Sequence, residues 1–289
     1  MKNKQSSLGH VPRKRFGQNF LQDMGIISRL VRAITPKADD NMVEIGPGQG
    51  ALTRPLLDDL NTLNAIELDR DLIPFLRAGL EPKGLTVHEA DALKFNFAEL
   101  MDERPLRIVG NLPYNISTPL IFHLLSYQEK VQDMHFMLQL EVVDRLAAEP
   151  NSKVYGRLSV IAQYYCQVDK LFDVPPSAFN PPPKVMSAIV RLKPRKFEHQ
   201  ANDIEVFNKV VRFSFSQRRK TLRNNLKQIL STEQLELLTQ DLRQRPEQLT
   251  VQDYVLMSNK IAEFELDDEL NKRSLSKSRQ KNQHADDAT

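Results

Sequence analysis

Apolar residues in this chain alternate between short unbroken runs and stretches with a helical repeat. The runs are Met42–Ile45, Leu63–Leu68, Leu85–Glu89, Leu106–Val109 and Met134–Leu140. Helical spacing appears at about Gly25–Ile34, Ala51–Leu60, Leu72–Leu80, Thr118–Leu125, Val142–Ala148 and Arg157–Tyr165. Strands apolar on both sides are covered on both faces, so this order predicts an α/β fold with a doubly wound, mostly parallel sheet. Two last runs, Lys170–Val174 and Ala188–Leu192, flank a proline-rich loop, Pro175–Lys184, and read as a closing antiparallel pair.

Beyond Pro194 the strand signal stops. From Ile204 to Phe264 only helical spacing remains: Val206, Phe207, Val210 and Val211, then Leu222, Leu226, Ile229 and Leu230, then Val255, Leu256 and Ile261. The expected organisation is an α/β domain over 1–194 and a small all-helical domain over 203–265. A tail, 267–289, is polar and charged with almost no apolar residues and is expected to be disordered.

Composition narrows this little: 289 residues, 40% hydrophobic and 27% charged, read as an ordinary soluble protein. No apolar run approaches the roughly 18 residues of a membrane helix. The N-terminus, with Lys2, Lys4, Arg13, Lys14 and Arg15, lacks the apolar core of a signal peptide. The single cysteine, Cys166, excludes an internal disulfide framework and fits a reducing, cytoplasmic setting. The six histidines are scattered without ligand spacing, so no metal is expected.

Two motifs change the picture. Glu44-Ile45-Gly46-Pro47-Gly48-Gln49-Gly50 places glycines between a strand and a helix, where backbone must approach a ligand closely. Glu67 ends the next strand about 20 residues on, where an acid accepts both hydroxyls of a ribose. No Lys-Ser/Thr follows the glycines, which excludes a phosphate-cradling P-loop. NAD and S-adenosylmethionine share that ribose. The Gly-x-Gly-x-Gly spacing favours the methyl donor, as does Asp91 at the end of the third strand, an acceptor for an adenine amino group. As a cap for a helix over Ala92–Leu100, Asp91 would have a structural role instead.

The second motif, Asn111-Leu112-Pro113-Tyr114, follows the fourth strand at its carboxyl end, where open α/β sheets bind ligands. An adenine N6 lone pair is delocalised into the ring, so the nitrogen is a poor nucleophile. Accepting its two N–H groups, with the Asn111 side-chain oxygen and a backbone carbonyl at Leu112 or Pro113, draws the amine towards tetrahedral geometry. Pro113 holds the carbonyls still, and Tyr114 offers a ring to stack on the base. Catalysis would rest on orientation and hydrogen-bond polarisation, without a strong general base. A base within a duplex could not enter, so the target is single-stranded or flipped out. Phe179, on the proline-rich loop, is either the second face of an aromatic sandwich or a core anchor. For RNA, the candidate surface is Arg212–Lys227, with Arg212, Arg218, Arg219, Lys220, Arg223 and Lys227 and no acidic residue.

With Phe16–Leu21, Glu44–Gly50, Glu67, Asp91, Asn111–Pro119 and Val174–Ser187 in this order, the chain closely resembles the ribosomal RNA adenine N6,N6-dimethyltransferases. The resemblance covers about 1–265; Met186 stands where family members often carry Asp. It implies a seven-stranded class I methyltransferase sheet, S-adenosylmethionine as cofactor, and Asn19 and Leu21 touching the donor beside Gly46, Glu67, Asp91 and Asn111. It also implies as substrate two adjacent adenosines in the 3′-terminal hairpin loop of small-subunit (16S) rRNA, and as partner the assembling small ribosomal subunit. A monomer is expected. Large-subunit rRNA or DNA as the methyl acceptor, or a non-catalytic RNA-binding assembly role on the same fold, are the alternatives.

Overall fold

The computed structural model describes residues 19–264; the arm with Arg13, Lys14 and Arg15, the Phe16–Gln18 part of the first motif and the tail lie outside the described residues. The described residues divide into two compact units, one formed by 19–147 and 165–195, the other by 148–164 and 196–264.

In the first unit, β1 (Phe20–Leu21) leads into α1 (Met24–Ile34). Asp23 caps α1, its carboxylate accepting from the N–H groups of Gly25 and Ile26, and Ile27, Leu30 and Ile34 form the buried face. Then follow β2 (Asn41–Ile45), α2 (Thr53–Leu57), β3 (Leu63–Glu67), α3 (Ile73–Leu80), β4 (Leu85–Glu89), β5 (Leu106–Asn111), α4 (Ser117–Leu125), β6 (Val131–Gln139) and α5 (Leu140–Leu146). The seven-stranded sheet has the order β4-β3-β2-β5-β6-β9-β7, where β7 is Cys166–Val174 and β9 is Ser187–Pro194. Strands β4, β3, β2, β5 and β6 are mutually parallel, and β9 runs antiparallel between β6 and β7. A second, two-stranded sheet pairs β1 with β8 (Phe179–Asn180), Leu21 opposite Phe179.

Every residue of β2 is buried, as the continuous apolar run implied. Its one charge, Glu44, is therefore buried too. At the opposite end of the sheet, Arg107 is the buried hub of a second polar group. It pairs with Asp40 and Asp133 at 2.6 and 2.8 Å and donates to the carbonyls of Ile34 and Thr35, so this guanidinium spends its donors on charge and backbone alike.

Three sequence expectations change. The helix expected over Ala51–Leu60 is only Thr53–Leu57, because the Gly-rich turn occupies its start. The helix over Ala92–Leu100, on which the alternative role of Asp91 as a cap depended, is only a 3₁₀ turn at Phe97–Leu100, capped by Asn96. Strand β5 runs on to Asn111, two residues beyond the expected end. Gly110 makes this possible: opposite Ile45 in the parallel register, a Cβ there would stand 2.6 Å from the Ile45 carbonyl oxygen.

The second unit is helical: α6 (Arg157–Tyr165), α7 (Ile204–Ser214), α8 (Leu222–Leu226), α9 (Thr232–Glu236) and a last helix over 251–264. The sequence had assigned 148–164 to the α/β domain. Aromatic packing explains why it groups with the later helices instead: the ring centroid of Tyr164 lies 4.5 Å from Phe207 and that of Tyr155 6.3 Å from Phe215. Asp203 caps α7, whose buried face is Val206, Phe207, Val210, Val211 and Ser214.

Candidate active site

Parallel strands leave their carboxyl ends without partners for the loops that follow. Where the order turns outward from β2 in both directions, those loops diverge and a crevice opens. Here a cavity lies at that point, between the ends of β2 and β5, walled by the loops after β3 and β4. It is lined by Asn19, Leu21, Gly46, Glu67, Asp91, Asn111, Leu112, Pro113 and Tyr114, so all the expected donor and clamp positions except Phe179 meet at one place.

The three glycines of the turn adopt positive φ (68, 57 and 78°), which side chains resist. At Gly48 space is also tight: a Cβ would come within 3.1 Å of the Phe20 ring, so β1 lies directly on the Gly-rich turn. Glu67 is held at the tip of β3 by backbone. Its Oε1 accepts from the N–H groups of Leu68 and Asp69 and its Oε2 from that of Gly48 at 3.1 Å. Burial raises its pKa and these N–H groups pull it back down. Oε1 thus has both lone pairs engaged, and Oε2, with one donor, retains capacity for another. Asp91 lines the cavity, and its Oδ1 accepts from the Leu93 N–H at 3.0 Å.

Asn111 has one orientation imposed on it. Its amide Nδ2 donates to the Asn19 carbonyl at 3.0 Å, which leaves Oδ1 as the acceptor. The Leu112 N–H donates to the Met137 carbonyl, and the Pro113 carbonyl already accepts from Ile116. Tyr114 is anchored at its hydroxyl by Ser187 Oγ, 2.8 Å away.

Phe179 requires a correction. It is 5% exposed, belongs to the core cluster with Leu21, Leu30 and Val174, and is absent from the cavity lining. Pairing of β8 with β1 places Phe179 in the core, which supports the core-anchor reading and not the aromatic sandwich.

Sequence reasoning missed several lining residues. Glu44 is 2% exposed, and burial pushes its pKa up to about 7, with Glu67 adding to the rise. Thr53 offsets part of that, but without hydrogen-bond geometry, and Glu44 Oε2 has no partner. Gln49 Nε2 is likewise buried and unpartnered. An acid inside an apolar strand was the available signal. Leu68, 47% exposed at the cavity, has no core role that spacing could have explained.

These features fit S-adenosylmethionine: an orphaned acceptor and an orphaned donor for its amino-acid portion, a carboxylate at the ribose position, and apolar Leu68 and Leu93 beside Asp91 for an adenine.

The six cations of the second unit do not form one helix face. Arg212 ends α7, Arg218, Arg219 and Lys220 stand in the following turn, and Arg223 and Lys227 are on or just after α8. Nor are all unopposed, because α9 supplies an acid the local sequence lacks: Arg223 lies 3.6 Å from Glu236. Arg218 is hydrogen-bonded to the Lys153 carbonyl. Arg219, Lys220 and Lys227 are exposed. Asn225, among these cations, is buried and donates to the Ser214 and Gln217 carbonyls, bracing the turn.

Comparison with known proteins bears directly on this geometry. A family model described as ribosomal RNA adenine dimethylase matches residues 9–263. The chain is 57% identical to the ribosomal RNA small subunit methyltransferase A of Saccharophagus degradans, over 90% of this chain and 99% of that one. With the Pseudomonas aeruginosa protein of the same name it shares 55% identity, over 88% and 96%. Among solved structures, a dimethyladenosine transferase from Plasmodium falciparum superposes with TM-score 0.71 and 29% identity, over 82% of this chain and 95% of that one. The 23S rRNA methyltransferase ErmE shares the fold at TM-score 0.66 and 23% identity, over 84% and 99%. Among the described residues no helix is long and apolar enough to cross a membrane.

Proposed function

Because the chain belongs to the ribosomal RNA adenine dimethylase family, we propose that it dimethylates the N6 amino groups of two adjacent adenosines in the 3′-terminal hairpin loop of 16S rRNA. It does so on assembling small ribosomal subunits, as a monomer in the cytoplasm. S-adenosylmethionine is the methyl donor. When bound, it supplies a methyl group on a positively charged sulfur that leaves readily.

The protein does the rest by placement. Glu67 takes the ribose hydroxyls, Asp91 the adenine amino group, and Glu44 with Gln49 the amino-acid portion. Asn19, Leu21 and Gly46 close around them. Asn111 Oδ1 and a carbonyl of the Leu112–Pro113 pair accept the two N–H groups of the target amine. Because Pro113's carbonyl is already engaged by Ile116, Leu112 offers the freer acceptor. Polarised this way, the nitrogen lone pair forms the new N–C bond as the S–C bond breaks, and the alkylated nitrogen loses its proton to water. Tyr114 supplies the platform for the base. Arg219, Lys220 and Lys227 contact phosphates.

The observation that supports this reading is the Asn111 amide at the cavity, whose nitrogen donates to the Asn19 carbonyl and so leaves its oxygen as the acceptor. The test is to map labelled methyl groups after incubation with under-methylated small subunits, large subunits and DNA. Incorporation confined to the paired adenosines is expected; label in large subunits or DNA alone overturns it.

A further inference from the structure

The hydroxyl of Tyr114 has a specific partner. Ser187 Oγ lies 2.8 Å from it, and Ser187 itself is 0% exposed at the first position of β9. In the sheet register Ser187 stands between Gln139 of β6 and Val174 of β7. The far end of the Tyr114 ring is thus fastened to the junction of three strands, not to a loop. Its near end is also held: the Pro113 carbonyl accepts from Ile116, and the Tyr114 carbonyl accepts from Ser117 Oγ at 3.2 Å. A ring fixed at both ends cannot tilt away from the cavity it lines.

We propose that Ser187 is a positioning residue that sets the plane of Tyr114 for the target base, and that this tether matters most for the second methyl transfer to each adenosine. The inference rests on the reading of Tyr114 as the base platform. In the first transfer the amine presents two N–H groups, and Asn111 with the Leu112–Pro113 backbone accepts both. After one methyl is added a single N–H remains. One polar contact is lost, and the base must be oriented largely by the ring beneath it. A ring free to tilt then costs the second step more than the first. Burial raises the Tyr114 pKa, so the phenol stays protonated and the hydrogen bond persists at neutral pH.

The alternative is that Ser187 only satisfies a half-buried hydroxyl. The two differ in product, not merely in stability. The experiment uses the full chain with under-methylated small subunits and saturating S-adenosylmethionine, and measures N6-methyl- and N6,N6-dimethyladenosine by mass spectrometry of digested rRNA over time. Ser187→Ala and Tyr114→Phe each remove the same hydrogen bond. Each is expected to raise the monomethyl-to-dimethyl ratio by roughly 3–10-fold, and the double variant to be no worse than either single one. Should Ser187→Ala fail to fold, Tyr114→Phe decides alone. An unchanged ratio in both, with transfer collapsing in Tyr114→Ala, overturns the tether and leaves the platform standing. If Tyr114→Ala also turns over normally, the platform reading fails and takes the tether with it.

Discussion

The crevice of the first unit and the basic turn of the second both gather polar groups, yet by opposite physical means. In the crevice, Glu44, Glu67 and Asn111 sit at the ends of buried strands. Each is oriented or left unpartnered by backbone that the sheet register holds still. In the turn, Arg219 and Lys220 are exposed, as is Lys227 just after α8, while the buried amide of Asn225 braces the turn. Buried groups interact strongly and over short distances, so the crevice discriminates atoms. Exposed charges act through a screened field, so the turn is suited to a polyanion held without being read.

The sharpest way to break this contrast is Asn111→Ala. Removing the oriented acceptor is expected to slow methyl transfer by about 10²–10³-fold, with the donor dissociation constant within a few-fold of wild type by calorimetry. Turnover near wild type would reject Asn111 as the acceptor that polarises the amine.

Glu44 tests what burial does. Burial pushes its pKa up to about 7, from the 4.5 of a free glutamate. The stabilising difference is therefore fully present below pH 4.5 and is lost as pH rises to 7 and beyond. Glu44→Gln should flatten that part of the stability–pH curve, gaining on the order of 3 kcal/mol at pH 8 relative to wild type, as read by denaturant unfolding without ligand. In the same variant donor affinity should fall and lose its rise through pH 7, since binding a cationic donor favours the ionised carboxylate. An unaltered pH profile of both quantities would remove Glu44 from the site.

Glu67→Ala removes the ribose acceptor and also the partner of the Gly48 N–H, so donor affinity should drop by roughly 10–100-fold and the melting temperature should fall with it. Calorimetry showing an unchanged dissociation constant would assign Glu67 to the loop alone. The smallest effect belongs to the surface. Replacing Arg219 and Lys220 together should weaken RNA binding by a few-fold and lower the slope of log affinity against log salt by about 1–2. Arg223→Ala, whose partner Glu236 already neutralises it, should change that slope less. Equal slopes in all three proteins would move the RNA surface elsewhere.

Much of this molecule is legible from local pattern. Seven strand runs, the long amphipathic helices, the strand–glycine–helix turn and the Asn111–Tyr114 motif are carried by neighbouring residues, because hydrophobic period and turn chemistry act over a few positions. Asp91 was placed at the cavity by the same local pattern. What local pattern left undecided are the polar pairings. Phe179 stood equally well as base stacker or core anchor until β1 paired with β8 and placed it in the core. The cations of Arg212–Lys227 looked unopposed because Glu236 belongs to another helix.

The chain's own order of residues therefore determined the layers of the fold, the place of the crevice and the chemical types gathered there. Only the tertiary structure decided that the Asn111 nitrogen is bound by Asn19, that Glu44 Oε2 has no partner, that Ser187 bonds Tyr114, and that 148–164 packs with the later helices. The reason is physical. Periodicity records which face of an element avoids water, whereas a hydrogen-bond partner is whatever the folded chain brings near, here Asn19 for a side chain 92 positions away.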